Sequence, residues 1–163
     1  HAVFTASRAE KKVRDRLEEL GMECFLPVQT VLRQWTYRKS RVVVPVIAGL
    51  VFVRVGRQEQ VKVLQTKGVV AFLRLKGEAG AAVIPDKQME DFRFLLDFSE
   101  EAVEMTNENI KAGDLVRVVK GSLRGMEGEL IRHKGVTKVL VRIDMLGCAM
   151  VNIPASFVEK LNK

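Results

Sequence analysis

Two kinds of hydrophobic pattern occur in the first half of the chain: continuous apolar runs and an apolar helical period. Residues 2–5 and 46–53 are apolar runs without a helical period, which is typical of buried strands. In contrast, four apolar residues recur on a single helical face: Ala9, Val13, Leu17 and Leu20. Ser7 and Glu10 have the spacing of a capping box, so we predict a helix over about residues 8–20.

The same kinds of apolar pattern and capping residue predict the elements that follow. Residues 23–26 and 69–75 are expected to be strands, and residues 58–65 a short helix. Asp86 is expected to cap a third helix, whose inward face is formed by Met89, Phe92, Leu95 and Leu96. Strands that alternate with helices predict an α+β sandwich over residues 1–98, in which helices pack on a sheet.

Residues 28–46 are predicted to form a long cationic hairpin with its tip near residues 37–40. No Asp or Glu occurs between Glu23 and Glu59, whereas six cations do: Arg33, Arg38, Lys39, Arg41, Arg54 and Arg57. The only Trp and the only Tyr of the chain, Trp35 and Tyr37, lie at the tip. Cations interleaved with aromatic residues suit phosphate contact and base stacking. The alternative is that Trp35 packs on its own sheet.

A glycine-rich cationic loop dominates the second half. In residues 113–119, Val116 and Val118 alternate with Arg117, as in a half-buried strand. The loop that follows carries two cations and three glycines: Lys120, Gly121, Arg124, Gly125 and Gly128. Glycine at such positions indicates a positive φ or a close backbone approach. The alternative is an ordinary glycine-rich β-turn.

Short strands spaced about ten residues apart predict a small β-barrel after residue 110. The expected strands are residues 115–119, 128–132, 139–143 and 150–153. Residues 99–109 precede this barrel, lack an apolar period and contain four Glu and no cation. We therefore predict two domains, residues 1–98 and 110–163, joined by an acidic flexible linker over residues 99–109.

Composition narrows the classes of function. The 163-residue chain carries a net charge of +7, with +6 in residues 1–97 and −4 in residues 98–109. A basic balance is compatible with nucleic acid as a partner. No apolar run approaches the ~18 residues that span a bilayer, and no leader peptide is evident, so a cytoplasmic protein is expected.

Catalytic and metal-binding patterns are not found in the sequence. His1 and His133 are the only histidines, and Cys24 and Cys148 are distant from one another, so we expect no metal site and reduced thiols. The glycine loop lacks the spacing of a phosphate-binding loop. We therefore expect no cofactor and no enzymatic activity.

Residues 113–131 resemble the KOW motif of the NusG family of transcription elongation factors and of some ribosomal proteins. The N-terminal part is similar to a NusG N-terminal domain. The segments that carry this similarity are Thr5 with Glu10-Lys11-Lys12-Val13, residues 46–53, Thr66-Lys67-Gly68-Val69 and Ile84-Pro85. Ala48 and Leu50 replace the Pro and Tyr that family members usually carry, so the docking surface differs in detail.

Late in the barrel, the general factor carries an Ile/Leu-Phe-Gly-Arg-x-Thr-Pro-Val segment, which belongs to the surface that engages its partners. Residues 145–151 here read Met-Leu-Gly-Cys-Ala-Met-Val, without Arg, Thr or Pro. The Arg33-Gln34-Trp35 sequence also looks more like the UpxY group. The resemblance therefore implies a specialised paralogue of the UpxY or RfaH kind, which acts on long operons such as those for surface polysaccharides.

The resemblance implies bacterial RNA polymerase as the main partner. The family seats the tip of the polymerase clamp helices in a hydrophobic depression, which maps onto Ile47, Leu50, Phe52 and Phe72. Ile47 and Leu50 are expected to be exposed there. Contact with the opposite side of the polymerase cleft maps onto Thr66 and Lys67.

Further partners are expected to be DNA or nascent RNA, or both. The candidate residues are Arg33, Trp35, Tyr37, Arg38, Lys39 and Arg41 of the hairpin, and Arg8, Lys11 and Lys12 of the first helix. A ribosomal protein or termination factor is expected at the KOW domain, and the chain is expected to be a monomer. Two alternatives are a general NusG-type factor and a ribosomal-type RNA-binding KOW protein.

Overall fold

The structure, a computed structural model, describes residues 1–161, and within them every side chain except those of Arg33 and Trp35. It divides into two compact units. The first unit comprises His1–Val28 and Val43–Ile84, and the second comprises Gln29–Val42 and Pro85–Lys163. Each unit combines helix with antiparallel strands.

The elements follow one another in an order close to that predicted. They are β1 Ala2–Thr5, α1 Glu10–Glu19, β2 Glu23–Phe25, β3 Val28–Trp35, β4 Arg38–Pro45, β5 Leu50–Arg54, α2 Arg57–Leu64, β6 Val69–Phe72, α3 Asp86–Phe98, β7 Glu104–Thr106, β8 Asp114–Val118, β9 Glu127–His133, β10 Val136–Ile143, β11 Gly147–Asn152 and β12 Val158–Lys160. A single 3-10 turn, Ala155–Phe157, precedes β12.

The first unit is built on a four-stranded antiparallel sheet in the order β2-β5-β1-β6. One face of this sheet carries Val3, Val51 and Val53, which join Val13 and Leu17 of α1 in a buried apolar cluster. Ala9, Val13 and Leu17 of the predicted helical face thus pack on the sheet, whereas Leu20, the C-cap of α1, is 56% exposed. Burying an apolar side chain such as Leu17 contributes about 1.5–3 kcal/mol.

Two boundaries in this unit differ from the sequence prediction. α1 begins at Glu10 rather than at residue 8, and Ser7 does not cap it: the N-cap is Ala9, which makes no side-chain capping bond. The reason is that Arg8 adopts a left-handed conformation, with φ of 60°, which a helix cannot contain. β5 begins at Leu50 and not at residue 46, because Gly49 turns the chain with a φ of 72°.

The second unit contains a six-stranded antiparallel sheet in the order β12-β8-β9-β10-β11-β7. Lys134 and Gly135 join β9 to β10 in a two-residue turn, with φ values of 52° and 79°. Two consecutive positive φ values match the twist of a hairpin, which explains why this pair of strands is tightly connected. The four predicted strands of this half are all present, and β7 and β12 were not predicted.

The acidic segment is not free of regular structure. Within it, β7 pairs with β11, with Met105 opposite Ala149. Val103, just before β7, is buried. Regular structure therefore occurs within residues 99–109, where the edge of β11 offers unpaired backbone groups to β7, and the flexibility of this linker stays a prediction.

Two predicted elements of the N-terminal half group with the second unit. These are the β3–β4 hairpin and α3, the latter of which packs against β10. In α3, Phe92 and Leu95 are buried, as their spacing predicted. Independent folding of residues 1–98 and 110–163, and closure of the six strands into a barrel, stay predictions.

Candidate functional site

The sheet of the first unit has a second face, opposite the apolar cluster, and it is rich in aromatic residues. Phe52 pairs with Phe25 across β5 and β2, with ring centroids 6.2 Å apart in a stacked arrangement. Leu50 pairs with Phe4 across β5 and β1. Since directly opposed residues of an antiparallel pair share a face, these four side chains lie on the same face. We call Phe4, Phe25, Leu50 and Phe52 the aromatic face.

Exposure within this face differs from what the sequence predicted. Leu50 is only 1% exposed and Phe52 3%, whereas Phe4 is 40% exposed. The expectation that Leu50 is exposed is wrong, because this residue starts a strand that is buried from Leu50 to Val53. Ile47, in the turn before β5, is half-buried.

Phe72 does not belong to the aromatic face. It pairs with Val3, not with Ala2 or Phe4, and it joins the apolar cluster that packs on α1. Its ring also meets the His1 ring edge-on at 5.9 Å. Of the four residues predicted to form a single depression, Leu50 and Phe52 thus lie on one face of the sheet and Phe72 on the other, because the alternation of β6 places Phe72 on the inner side.

Phe4 is the residue that sequence reasoning missed. Its alternation with Val3 in β1 was visible in the sequence, since neighbouring residues in a strand point to opposite faces. Only the pairing of β1 with β5 shows that Phe4 lies opposite Leu50.

Thr66 and Lys67 lie in a tightly fixed turn between α2 and β6. The Thr66 hydroxyl donates to the Lys62 carbonyl at 2.9 Å, and Arg16 donates to the Lys67 carbonyl at 2.7 Å. The next residue, Gly68, has a φ of 97°, and a Cβ there would lie 2.8 Å from a methyl of Val13. Because the Thr66 and Arg16 side chains both bind backbone carbonyls here, the exposed Lys67 side chain is presented from a rigid position.

Three exposed cations lie just before α1 and in its first turn. Arg8, Lys11 and Lys12 are exposed, while Arg14 is engaged with its neighbour Asp15 at 3.1 Å. An exposed cation on a helix is compatible with phosphate contact and equally with simple solvation.

The hairpin presents its tip to solvent. Tyr37, in the turn between β3 and β4, is 97% exposed, and the cations Arg38, Lys39 and Arg41 on β4 are exposed as well. The side chains of Arg33 and Trp35 lie outside the described residues. At the other end of the hairpin, Gln29 exchanges two hydrogen bonds with the Val103 backbone, at 3.3 and 3.2 Å.

The glycine loop between β8 and β9 is closed by its own backbone. Gly125 donates to the Val118 carbonyl at 2.8 Å, and Val118 donates to the Met126 carbonyl at the same distance. Gly121 and Gly125 have φ values of 84° and 95°. A Cβ at Gly128, within β9, would lie 2.9 Å from the Leu140 carbonyl oxygen.

Those glycines therefore have the two roles that the sequence predicted, positive φ and close approach. Two apolar residues of the loop, Leu123 and Met126, are buried, while Lys120 and Arg124 are exposed. The loop thus presents cations from a rigid frame.

Charged pairs anchor the sheet of the second unit. Arg142 donates from Nε and Nη2 to the two carboxylate oxygens of Glu129, at 2.6 and 3.1 Å, and from Nη2 to the Ile110 carbonyl at 2.8 Å. Hydrogen bonding to Glu129 raises the pKa of Arg142. Lys138 donates to Glu104 of β7, and this bond lowers the pKa of Glu104 below its usual value.

Neither cysteine has the environment of a reactive thiol. Burial, with the nearby Glu18 carboxylate, raises the pKa of Cys24 to about 11, and burial also raises the pKa of Cys148. A thiol with a raised pKa is a poor nucleophile at neutral pH. Within residues 1–161, no three His, Cys, Asp or Glu side chains are grouped as metal ligands would be. No helix in this described range is both long and apolar enough to cross a membrane.

No curated protein sequence matches the chain significantly. Among solved structures, that of NusG from Thermotoga maritima, determined in a study of its domain interaction, is similar with a TM-score of 0.50 and 22% identity, over 99% of this chain and 96% of that one. An MjSpt4:Spt5 complex covers the same shares at 18% identity, with a TM-score of 0.24 that is too low to indicate a shared arrangement.

The family model for NusG, described as transcription termination factor nusG, matches residues 1–93. This range includes the aromatic face, the Thr66–Lys67 turn and most of α3. It is more than half of the 163-residue chain, and the chain therefore belongs to the NusG family.

Proposed function

We propose that this protein is a transcription elongation factor that binds bacterial RNA polymerase through its N-terminal unit. The observation that carries the proposal is the family match over residues 1–93, the part of the chain that contains the aromatic face and the Thr66–Lys67 turn. The protein acts by binding, without catalysing a reaction and without a cofactor, in the cytoplasm and as a monomer.

Two surfaces of the first unit support polymerase binding. The aromatic face offers Phe4 as a partly exposed ring beside Leu50 and Phe52, and rings of this kind anchor interfaces. The Thr66–Lys67 turn offers a cation from a rigid backbone. A factor that contacts both sides of the polymerase cleft favours the closed, elongating state, because it binds that state more tightly than the open one.

Nucleic acid in the transcription complex is the proposed partner of the hairpin. Its tip combines an almost fully exposed Tyr37 with Arg38, Lys39 and Arg41. Phosphates would be held by these cations, and an unstacked base could lie on the tyrosine ring. The cations at the start of α1 are a second, weaker surface for the same partner.

The finer proposal is an antiterminator of the UpxY or RfaH kind, specialised for long operons. It rests on residues 145–151, which lack the Arg, Thr and Pro of the general factor. Cys148, Ala149 and Met150 of this segment are buried, and each pairs with a residue of β7. An edge already occupied by the protein's own strand is less accessible to the partners of a general factor. A ribosomal protein or a termination factor would then have to bind the glycine loop instead.

The test is single-round transcription with purified bacterial RNA polymerase and the full-length protein, on a template with a defined pause followed by terminators. We expect the protein to shorten the pause and to increase readthrough. Increased termination would instead favour the general factor, the second candidate. No effect on pausing or termination, and no binding to polymerase, would overturn the proposal.

A matched pair of variants locates the effect. Lys67→Ala removes the exposed cation of the fixed turn but keeps its carbonyl, which is the atom that Arg16 binds. Lys76→Ala also removes an exposed cation, from a loop outside the candidate surfaces. Pause shortening should fall in the first variant and be retained in the second.

A further inference from the structure

A cavity of about 390 Å³ lies in the second unit, between residues 109–113 and the end of β9. Its lining includes two cations, Lys111 and Arg132, together with His133. Its volume lies in the range of small-molecule sites, about 300–1,000 Å³. This groove is separate from the hairpin, the glycine loop and the Thr66–Lys67 turn.

The wall formed by residues 109–113 is fixed in place. Arg142 donates to the Ile110 carbonyl at 2.8 Å, and the Gly113 amide donates to Glu129 at 3.1 Å. A Cβ at Gly113 would lie 2.1 Å from the Leu130 carbonyl oxygen, so only glycine allows the segment to run this close to β9. The groove is therefore preformed and loses little freedom on binding.

The charge of the groove favours an anion. Within the described residues, Lys111 and Arg132 have no carboxylate within ion-pair distance, and both are exposed. The nearby carboxylates already have partners: Glu129 binds Arg142, and Glu108 lies 3.2 Å from His133 Nε2. The two cations thus remain available for an incoming phosphate.

Apolar and aromatic groups form the rest of the lining. Ile110 and Ile131 contribute aliphatic surface, and Glu108 holds the imidazole ring of His133 in place. Imidazole rings are among the platforms on which unstacked bases lie. An acidic peptide would use the cations but would gain nothing from such a platform, so the groove suits a nucleotide better.

We propose that this groove binds one nucleotide unit of a single-stranded nucleic acid, with the phosphate between Lys111 and Arg132 and the base against His133. The shared chemistry is a nucleoside phosphate, in a strand or free. The site goes beyond polymerase binding, because it lies in the second unit and outside the residues that the NusG family model matches.

The experiment uses the full-length ¹⁵N-labelled protein and three probes: a single-stranded RNA of about eight nucleotides, a nucleoside 5′-monophosphate and inorganic phosphate. The oligonucleotide should shift the amide signals of residues 109–113 and 130–133. The monophosphate should shift the same signals only at higher concentration, and inorganic phosphate should not reproduce the shifts at His133. If the free monophosphate binds as tightly as the oligonucleotide, a single-stranded nucleic acid is the wrong ligand for this groove.

Variants test the assignment quantitatively. Lys111→Ala with Arg132→Ala should abolish those shifts and lower the slope of log affinity against log salt by about 0.7, the value for one neutralised phosphate of a single strand. Lys111→Arg with Arg132→Lys should retain binding. The matched control, Lys87→Ala with Lys160→Ala, removes two cations that already pair with Asp91 and Asp114.

Three outcomes would overturn the proposal. The control variant could lose as much affinity as the groove variant, the groove amides could stay unshifted, or an acidic peptide of equal charge could bind equally well. Polymerase binding should be unchanged in the groove variant. A failure here therefore leaves the proposed elongation activity standing, and the reverse also holds.

Discussion

Gln88 of α3 and Asp144, just after β10, hold each other through two reciprocal hydrogen bonds. Gln88 Nε2 donates to Asp144 Oδ1 at 2.9 Å, and the Asp144 amide donates to Gln88 Oε1 at 2.8 Å. The pair joins Gln88, which lies in the family-matched part of α3, to the turn between β10 and β11. These two hydrogen bonds add to the packing of α3 against β10.

We expect Gln88→Ala to destabilise the second unit by about 0.5–1.5 kcal/mol, the usual contribution of such hydrogen bonds. The measurement is urea unfolding, combined with hydrogen exchange of the Asp144 amide, which should become faster. Lys87→Ala is the control, because the exposed Lys87–Asp91 pair contributes less than about 0.5 kcal/mol. Equal stability and unchanged exchange in the Gln88 variant would show that α3 is held by its apolar face alone.

The buried face of α3 could be predicted from the sequence, but its position could not, and its N-cap is Pro85 rather than the expected Asp86. The spacing of Phe92 and Leu95 is a local signal, and it correctly indicated their burial. The partners Gln88 and Asp144 are 56 residues apart, and hydrophobic period carries no information about pairing over that distance. The sequence placed this helix with residues 1–98, whereas in the structure it packs against β10.

The same limit explains the outcome for the candidate site. Tight turns could be predicted from the positions of glycines in the sequence. Gly121 and Gly125 have the positive φ that their pattern indicated. The face of a strand was not visible, since it depends on register: Phe72 opposes Val3, while Phe52 opposes Ala2. A shift of one residue moves a side chain to the other face of a sheet.

Gly147→Ala should detach β7 from β11. Gly147 has a φ of 106°, and a Cβ there would lie 2.1 Å from the Thr106 carbonyl oxygen. The positive φ alone costs about 1–2 kcal/mol, and the clash with backbone adds to this cost. We expect faster proteolysis within residues 99–109 as the strand separates.

Gly135→Ala separates the two effects. Gly135 has a φ of 79°, but no atom lies within 4 Å of a Cβ placed there. This variant should show the strain of positive φ without release of β7. If both variants are cleaved at the same rate in residues 99–109, the clash with Thr106 has no role in holding the acidic segment.

The Glu104–Lys138 pair should make stability depend on pH in acid. The hydrogen bond from Lys138 lowers the pKa of Glu104 below its usual value of 4.5. Its stabilisation is therefore fully present above about pH 4.5 and is lost as the pH falls through the lowered pKa. Because Glu104 is largely exposed, we expect Glu104→Gln to cost about 0.2–1 kcal/mol at pH 7.

This difference from the unmodified protein should disappear at pH values below the lowered pKa. Glu101→Gln, which changes the same acidic segment at an exposed residue, is the control and should have little effect at either pH. A Glu104→Gln penalty that persists unchanged in acid would assign the effect to packing rather than to charge.

The hairpin cations are expected to contribute to nucleic-acid binding through charge. Replacing Arg38 and Lys39 with Ala should lower the slope of log affinity against log salt by about 1.4 for single strands. Lys87→Ala with Lys160→Ala again serves as the matched control. An unchanged slope in the hairpin variant would exclude this surface as a phosphate contact.

Leu50 and Phe4 oppose each other across β5 and β1, but they should respond differently to substitution. Leu50 is 1% exposed, so Leu50→Asp places an unpaired carboxylate in the interior. Such a change costs several kcal/mol, a large part of the roughly 5–15 kcal/mol that stabilises a domain. We expect this variant to unfold at a much lower temperature, and its loss of polymerase binding would carry no information about docking.

Phe4→Ser is the sharper test, because 40% of Phe4 is already in contact with solvent. We expect the melting temperature to fall by a few degrees and polymerase affinity to fall by about thirtyfold, the loss of an interface anchor worth about 2 kcal/mol. Leu20→Ser, at an exposed leucine after α1, should leave affinity unchanged. Calorimetry checks the fold of each variant, and normal polymerase binding by a folded Phe4→Ser protein would remove the aromatic face as the docking surface.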